Sequence, residues 1–255
     1  MLAWLRRELQ YFFEALRFFS RIPVPAWVGH STEALNRSTR YFPAIGLLVG
    51  GLGALVYVGA SQLWPPAVAV LLSMAASIYA TGAFHEDGLS DMVDGFGGGW
   101  EKSRILEIMK DSRVGSYGVV AMVLALAGKG ALLLSLPVAL VPVALIAGHA
   151  VSRFASTCLI RALDYVQEDA LSKAKPLATR LSWGALLVSG LFALLPLCWL
   201  PLPQTLVALL LVVLATVWMA RRFVRWIGGY TGDCLGATQQ VTEIAFYLGL
   251  AAQWA

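Results

Sequence analysis

The stretch 83–118 reads AFHEDGLSDMVDGFGGGWEKSRILEIMKDSRVGSYG and follows directly on an apolar run. Within it Asp87, Asp91 and Asp94 are spaced i, i+4, i+7. At about 100° per residue a helix places them on one face, within roughly 60° of one another. Three carboxylates in so small a volume raise one another's pKa unless something neutralises them, and desolvation near a bilayer adds to the cost. A hard divalent cation meets that demand, because Mg²⁺ takes oxygen ligands at about 2.0–2.1 Å and keeps positions open for phosphate. Asp87, Asp91 and Asp94 are therefore candidate metal ligands and catalytic residues, weighed against the plain alternative that they solvate a helix end. Glu86 is a further candidate ligand, and His85 a candidate for substrate binding or proton transfer. The run Gly95-Phe96-Gly97-Gly98-Gly99 reads as a break in the helix where backbone amides, Gly98 among them, approach a ligand. Beyond it Ile105, Leu106, Ile108 and Met109 predict a short amphipathic helix ending on Lys110, Asp111 and Arg113. The two cations suit phosphate oxygens, and Asp111 is a candidate to complete the metal shell or act as base.

Around this segment the chain is strongly apolar. Of its 255 residues 58% are hydrophobic and 13% charged, where soluble domains carry roughly 25% charge. Hydropathy predicts an all-α, polytopic transmembrane bundle of about seven spans, near 41–62, 66–84, 117–136, 138–160, 182–200, 203–220 and 236–254. Before the first span Leu2, Leu5, Leu9, Phe12, Leu16 and Phe19 recur at helical spacing, with Arg6, Gln10, Glu14 and Arg17 on the other side. That pattern predicts an uncleaved amphipathic helix lying in the membrane interface over 1–28. No repeat or long linker divides the chain, so 1–255 reads as one membrane domain, with a catalytic cytoplasmic loop at 85–116 and a second, substrate loop at 221–236.

The turns near 61–66, 136–142 and 196–204 are proline-rich and uncharged, whereas the other connections hold nearly everything ionisable. Arg37, Arg40, Lys102, Arg104, Lys110, Arg113, Arg161, Lys173, Lys175, Arg180, Arg221, Arg222 and Arg225 thus share one side. The positive-inside rule makes it the cytoplasm, with the N-terminus inside and, for seven spans, the C-terminus outside. The net charge of +4 reads as topology rather than as a nucleic-acid surface. Cys158, Cys198 and Cys234 lack any metal-ligand spacing and read as incidental thiols.

A second constellation joins Arg221, Arg222 and Arg225 to the run 228–236, GGYTGDCLG, with Glu243 further on in the last span. Glycines, Thr231, Gly232 and Asp233 beside arginines make a candidate phosphate cradle, against the plain reading of a loop with topology-setting charges. Asp233 is a second candidate for base or metal ligand, and Glu243 for the metal. Lys129 and Arg153, in or near spans, must face protein or water and pair with Asp233 or Glu243 or reach the site. His149, beside Arg153, reads as structural.

These residues carry a resemblance. The segments Phe18-Phe19-Ser20-Arg21-Ile22-Pro23-Val24-Pro25, Tyr41-Phe42-Pro43 through Gly50, HEDGLSDMVDG with IMKDSRVGSYG, and GGYTGDCLGA resemble, in that order, the cobalamin synthase family of adenosylcobinamide-GDP ribazoletransferases. The resemblance spans nearly the whole chain, with Ser20, Ser90 and Gln240 departing from the pattern. It implies Mg²⁺-dependent attack of a hydroxyl of α-ribazole, or of its 5′-phosphate, on the cobinamide-linked phosphorus of adenosylcobinamide-GDP. GMP leaves, and adenosylcobalamin or its 5′-phosphate forms, late in vitamin B12 biosynthesis. It also implies a multi-pass protein of the cytoplasmic (inner) membrane, with the two substrates and the lipid bilayer as partners, no nucleic acid, and a homo-oligomer left open. Two other readings compete: a CDP-alcohol-type membrane phosphotransferase, whose motif Asp91-x-x-Asp94-Gly95 only opens, and a transporter, which would place its charges at the bilayer midplane.

Overall fold

The structure, a computed structural model, describes residues 2–29, 31–166 and 181–253. Lys173, Lys175 and Arg180 of the expected basic set lie outside the described residues. The elements are α-helices α1 (Leu2–Phe19), α2 (Thr32–Ser38), α3 (Phe42–Ala60), α4 (Pro66–Thr81), α5 (Phe84–Gly98), α6 (Lys102–Met109), α7 (Ser116–Ser135), α8 (Val141–Ala162), α9 (Trp183–Leu194), α10 (Leu202–Ile227) and α11 (Gly232–Leu250), with short 3-10 turns between some of them. Extended structure among the described residues is confined to one bridge, Tyr165 with Tyr230. The protein is an all-α membrane protein.

Among the described residues each of the seven segments expected to span is mainly helical. Among the described residues four helices are long and apolar enough to cross a bilayer by themselves: Glu33–Ala60, Ser116–Ser135, Val138–Ala162 and Leu202–Ile227. A fifth crossing arises if α4 and α5, bent by 86°, count as one span. The expected span at 182–200 is a shorter apolar piece, Trp183–Trp199. α11 is long but carries Gln239, Gln240, Thr242 and Glu243, all buried. It tolerates them because it is the central helix, packed by α10, α5, α8 and α7, so its polar groups find partners in protein rather than facing lipid. α7 and α10 turn Val120, Val123, Leu124, Leu206 and Leu210 outward, as lipid-facing helices do.

Small residues set the tightest packing. A Cβ on Gly46 would stand 2.4 Å from the backbone oxygen of His149, and one on Gly50 2.7 Å from Cα of Ile146, so α3 and α8 lie antiparallel in near contact. With helix directions alternating, the starts of α3, α7, α9 and α11 and the ends of α4, α8 and α10 form one end of the bundle. The described basic residues of the connections gather at that end.

Three sequence expectations change. Gly95–Gly98 continue α5 rather than breaking it, because α6 and α7 press on them. A Cβ on Gly95 would meet the Met109 side chain at 2.5 Å and one on Gly97 the Tyr117 ring at 2.9 Å, so tertiary packing overrides a poor helix propensity. The stretch 85–116 is accordingly two helices with short links, and Gly98 offers a helix end instead of a free amide cradle. Arg221, Arg222 and Arg225 likewise belong to the last turns of α10 rather than to a loop. Finally, Glu14 is buried and paired with Arg17 at 3.5 Å. The segment after α1 folds back over that polar side: Gln10 donates to the Val28 carbonyl at 2.9 Å, and Arg17 to that of Gly29. The helix α1 is thus amphipathic as expected, but only its first half, with Leu2, Leu5 and Leu9, is open.

Candidate active site at the polar end of the bundle

The acidic helix owes its position to the break before it. Gly82 (φ 67°) and Ala83 (φ 59°) are both left-handed, a conformation that costs a non-glycine residue roughly 1–2 kcal/mol. Arg21 holds the bend, its N–H donating to the Ala80 carbonyl at 2.8 Å and its guanidinium lying where a Gly82 Cβ would go. Phe19 stacks on His85 at 5.3 Å and packs edge-on against Phe42 at 4.4 Å. Two of the sequence motifs, 18–25 and 41–50, therefore buttress the third. α5 turns away from the direction of α4 and, with Glu86, Asp87, Asp91 and Asp94 in fifteen residues, lies across the polar end of the bundle.

The fourth motif meets it backbone to backbone. A Cβ on Gly88 would come within 3.1 Å of the Asp233 backbone, and one on Gly236 within 3.3 Å of Gly88 Cα. Asp233 opens α11, capped by Thr231, which accepts from the Cys234 N–H at 3.3 Å. Gly228 ends α10 in the left-handed conformation (φ 82°), and Tyr230 N–H donates to the Asp164 carbonyl at 3.0 Å. Thr231, Gly232 and Asp233 are thus brought to the acidic helix, while Arg222 and Arg225 stay on the exposed end of α10.

The aspartates divide their work. Asp87 is exposed and Asp91 half-buried, whereas Asp94 is buried. Asp94 accepts from Gly115 N–H at 2.7 Å and Gly118 N–H at 2.9 Å, capping α7 from a neighbouring helix and complementing its dipole. Burial, followed by the charges of Asp87 and Asp94, pushes the Asp91 carboxyl up to about 6, so like charges face one another as the spacing predicts. Asp111 instead sits on the exposed link to α7, and Arg113 grips it, Nη2 to Oδ2 at 2.6 Å and the backbone N–H to Oδ1 at 3.0 Å. Those bonds hold its carboxyl down at about 2. Lys110 lies on the same link.

Glu86 is buried, its Oε1 accepting from Gln240 at 3.0 Å while Oε2 has no partner among the described residues. It begins a buried polar chain of which the sequence pointed only to the last link, the pairing of Lys129 with Glu243. Gln240 also donates to Gln239 at 2.8 Å, Gln239 donates to Glu243 Oε2 at 2.8 Å and to Ser152 at 3.0 Å, and Tyr247 donates to Glu243 Oε1 at 3.0 Å. Lys129 closes the chain on Glu243 at 3.1 Å, as its place in a span required. Arg153 donates to the ring and the carbonyl of His149 at 3.1 and 3.0 Å. Glu243, expected as a metal ligand, therefore has both oxygens engaged inside the bundle. The helical grouping of Gln239, Gln240 and Glu243 in an otherwise apolar span was the signal available in the sequence. The three cysteines are free thiols.

Glu86, Asp87 and Ser90 line a cleft of about 420 Å³ whose other walls come from α4 and α7. Among the described residues no three His, Cys, Asp or Glu side chains already converge as a metal nest. The donors present are nevertheless all hard oxygens, with Asp87 exposed and the charge on Asp91 disfavoured by burial and by its neighbours, and this chemistry fits a divalent cation of the Mg²⁺ kind.

A polytopic helical membrane protein with a carboxylate-rich cleft at the polar end of its bundle is the class that fold and site define. The chain belongs to the cobalamin-5-phosphate synthase family, whose model matches residues 11–251. It is 48% identical to the adenosylcobinamide-GDP ribazoletransferase of Shewanella amazonensis over 98% of this chain and 97% of that one. It is also 48% identical to the protein of the same name from Polaromonas sp., over 93% and 94% of the two chains, and 46% to that of Vibrio cholerae, over 99% and 97%. No solved structure matches it.

Proposed function

We propose that this protein is a Mg²⁺-dependent membrane transferase that joins adenosylcobinamide-GDP to α-ribazole, or to its 5′-phosphate, releasing GMP in the last assembly of cobalamin. Family membership and the relatives' names support the reaction, and the observation that carries the site is the acidic face of α5 held against the glycine-rich start of α11. A ribose hydroxyl oxygen forms the new bond to the cobinamide-linked phosphorus, the bond to the GMP oxygen breaks, and the hydroxyl proton is released within the carboxylate cluster. Asp87 and Asp91 would hold the cation, which supplies charge neutralisation of the diphosphate and of departing GMP. Asp94 fixes the start of α7 beside them, and Asp233 stands next to Gly88 on the facing helix. The last turns of α10 bring Arg222 and Arg225 for phosphate or guanosine, and Arg113, oriented by Asp111, offers a further guanidinium. The basic residues gathered at this end support a cytoplasmic orientation in the inner membrane.

The test is reconstitution in liposomes with adenosylcobinamide-GDP and α-ribazole, following GMP and the corrinoid product chromatographically. Stoichiometric GMP and cobalamin confirm the reading. Transfer to a lipid alcohol in their place would establish the CDP-alcohol-type reaction, and solute flux without GMP would establish a transporter.

A further inference from the structure

The cleft beside Glu86 does not stop at the acids. Its walls are Ile78 of α4 and Val119, Met122, Val123 and Leu126 of α7, and it shares Ile78 and Leu126 with an adjoining apolar groove of about 550 Å³ that follows α4 and α7 along the bundle. One end is therefore polar and the body apolar. At the polar end Glu86 and Ser90 are both more than nine-tenths buried, and Glu86 Oε2 and Ser90 Oγ both lack a partner among the described residues. A buried carboxylate oxygen with no donor costs free energy unless a ligand supplies one. Gln240 holds the other oxygen of Glu86, so the orphaned one is fixed rather than free to turn away.

We infer that this cleft is the nucleoside subsite: it takes the flat apolar dimethylbenzimidazole base of α-ribazole between α4 and α7, with ribose hydroxyls donating to Glu86 and meeting Ser90. The inference rests on the proposed transferase reaction and adds to it where the hydroxyl donor sits. The dimensions agree, since small-ligand pockets run to about 300–1,000 Å³, mostly apolar with a few placed polar groups. The geometry also has a mechanistic consequence. Asp87 lines the same cleft, so a ribose anchored at Glu86 and Ser90 presents its hydroxyls beside the carboxylates proposed to hold the cation. The apolar base leaves the water-facing side to the charged diphosphate substrate.

The experiment measures equilibrium binding of α-ribazole to purified protein in nanodiscs, read from the benzimidazole fluorescence, alongside steady-state GMP release. The riboside of unsubstituted benzimidazole, lacking two methyls, should bind wild-type protein about tenfold more weakly. Glu86→Gln, which keeps the shape and the Gln240 contact, should weaken α-ribazole about tenfold. So should Val123→Trp, a lipid-facing substitution that fills the cleft without touching a polar group. Neither should move the KM for adenosylcobinamide-GDP or the Mg²⁺ concentration for half activation by more than about twofold. Equal binding of the two ribosides, or α-ribazole binding unchanged in both variants, would overturn the assignment. A shift of Mg²⁺ activation by Glu86→Gln with α-ribazole binding intact would make Glu86 a cation ligand and overturn it too. If wild-type protein releases no GMP yet binds α-ribazole as described, the transferase reading fails while the subsite stands.

Discussion

Asp94 gives the sharpest separation between holding the fold and holding a metal. Its two oxygens satisfy the N–H groups of Gly115 and Gly118 at 2.7 and 2.9 Å, two of the donors that the start of α7 cannot pair internally. Asp94→Asn keeps one acceptor, turns an amide NH₂ toward the other donor and removes the charge that the helix dipole favours. Loss of one charge-assisted bond and of the dipole term amounts to about 2–3 kcal/mol. For a chain of this length that is roughly 5–10 °C in Tm. The assay is thermal unfolding in detergent with EDTA present, so that no cation contributes, combined with hydrogen exchange over 115–120. The variant should unfold earlier and exchange faster at the start of α7, with the other helices unchanged. A wild-type Tm in EDTA, with a deficit appearing only after Mg²⁺ is added, would refute the capping role and leave Asp94 as a metal ligand alone.

Other outcomes follow from the same structure. Lys129→Met strands Glu243 without its nearest cation and should cost about 3–5 kcal/mol, while Lys129→Met with Glu243→Gln should recover much of that loss in thermal unfolding. A double variant no better than the single one would deny the pairing. Gly88→Val places side-chain atoms where α5 and α11 touch, and should cost about 1–3 kcal/mol and lower GMP release, whereas full activity would contradict that contact. For Asp91 the folded pKa of about 6 lies above its ordinary value of 3.8. The protonated form is the one the fold favours, so the contribution to stability is complete below about 3.8 and disappears as pH rises through about 6. In metal-free protein Asp91→Asn should therefore be about 1 kcal/mol more stable than wild type at pH 7.5, after discounting for solvent screening, and indistinguishable at pH 3.5. A destabilised variant at pH 7.5 would be the wrong sign.

The parts of the site that are local in sequence were readable there. Asp87, Asp91 and Asp94 announce one helix face by their spacing, Ile105, Leu106 and Met109 the buried side of α6, and an intramembrane Lys129 its need for an acid. What escaped depends on chain segments far apart. Gly95–Gly98 look like a helix breaker until Met109 and Tyr117 are placed against them. Asp94 looks like one more ligand until α7 arrives 21 residues later to be capped. The bond from Gln240 to Glu86 spans 154 positions, and no periodicity reports it. Glu14 sits on the polar side of its helix by pattern, yet Val28 and Gly29 come back over that side. The exact number of crossings is not legible from apolar length, which marks helices such as α9 and α11 without saying how each meets the bilayer.

The proposed reaction requires the carboxylates of α5 to hold a divalent cation against a diphosphate. Binding of Mn²⁺, followed by loss of the free-ion EPR signal on titration with nanodisc-embedded protein and adenosylcobinamide-GDP, tests it without turnover. Wild-type protein should take up the ion, and Asp87→Asn and Asp91→Asn should bind it at least about tenfold more weakly. Undiminished Mn²⁺ binding in both variants would contradict that requirement.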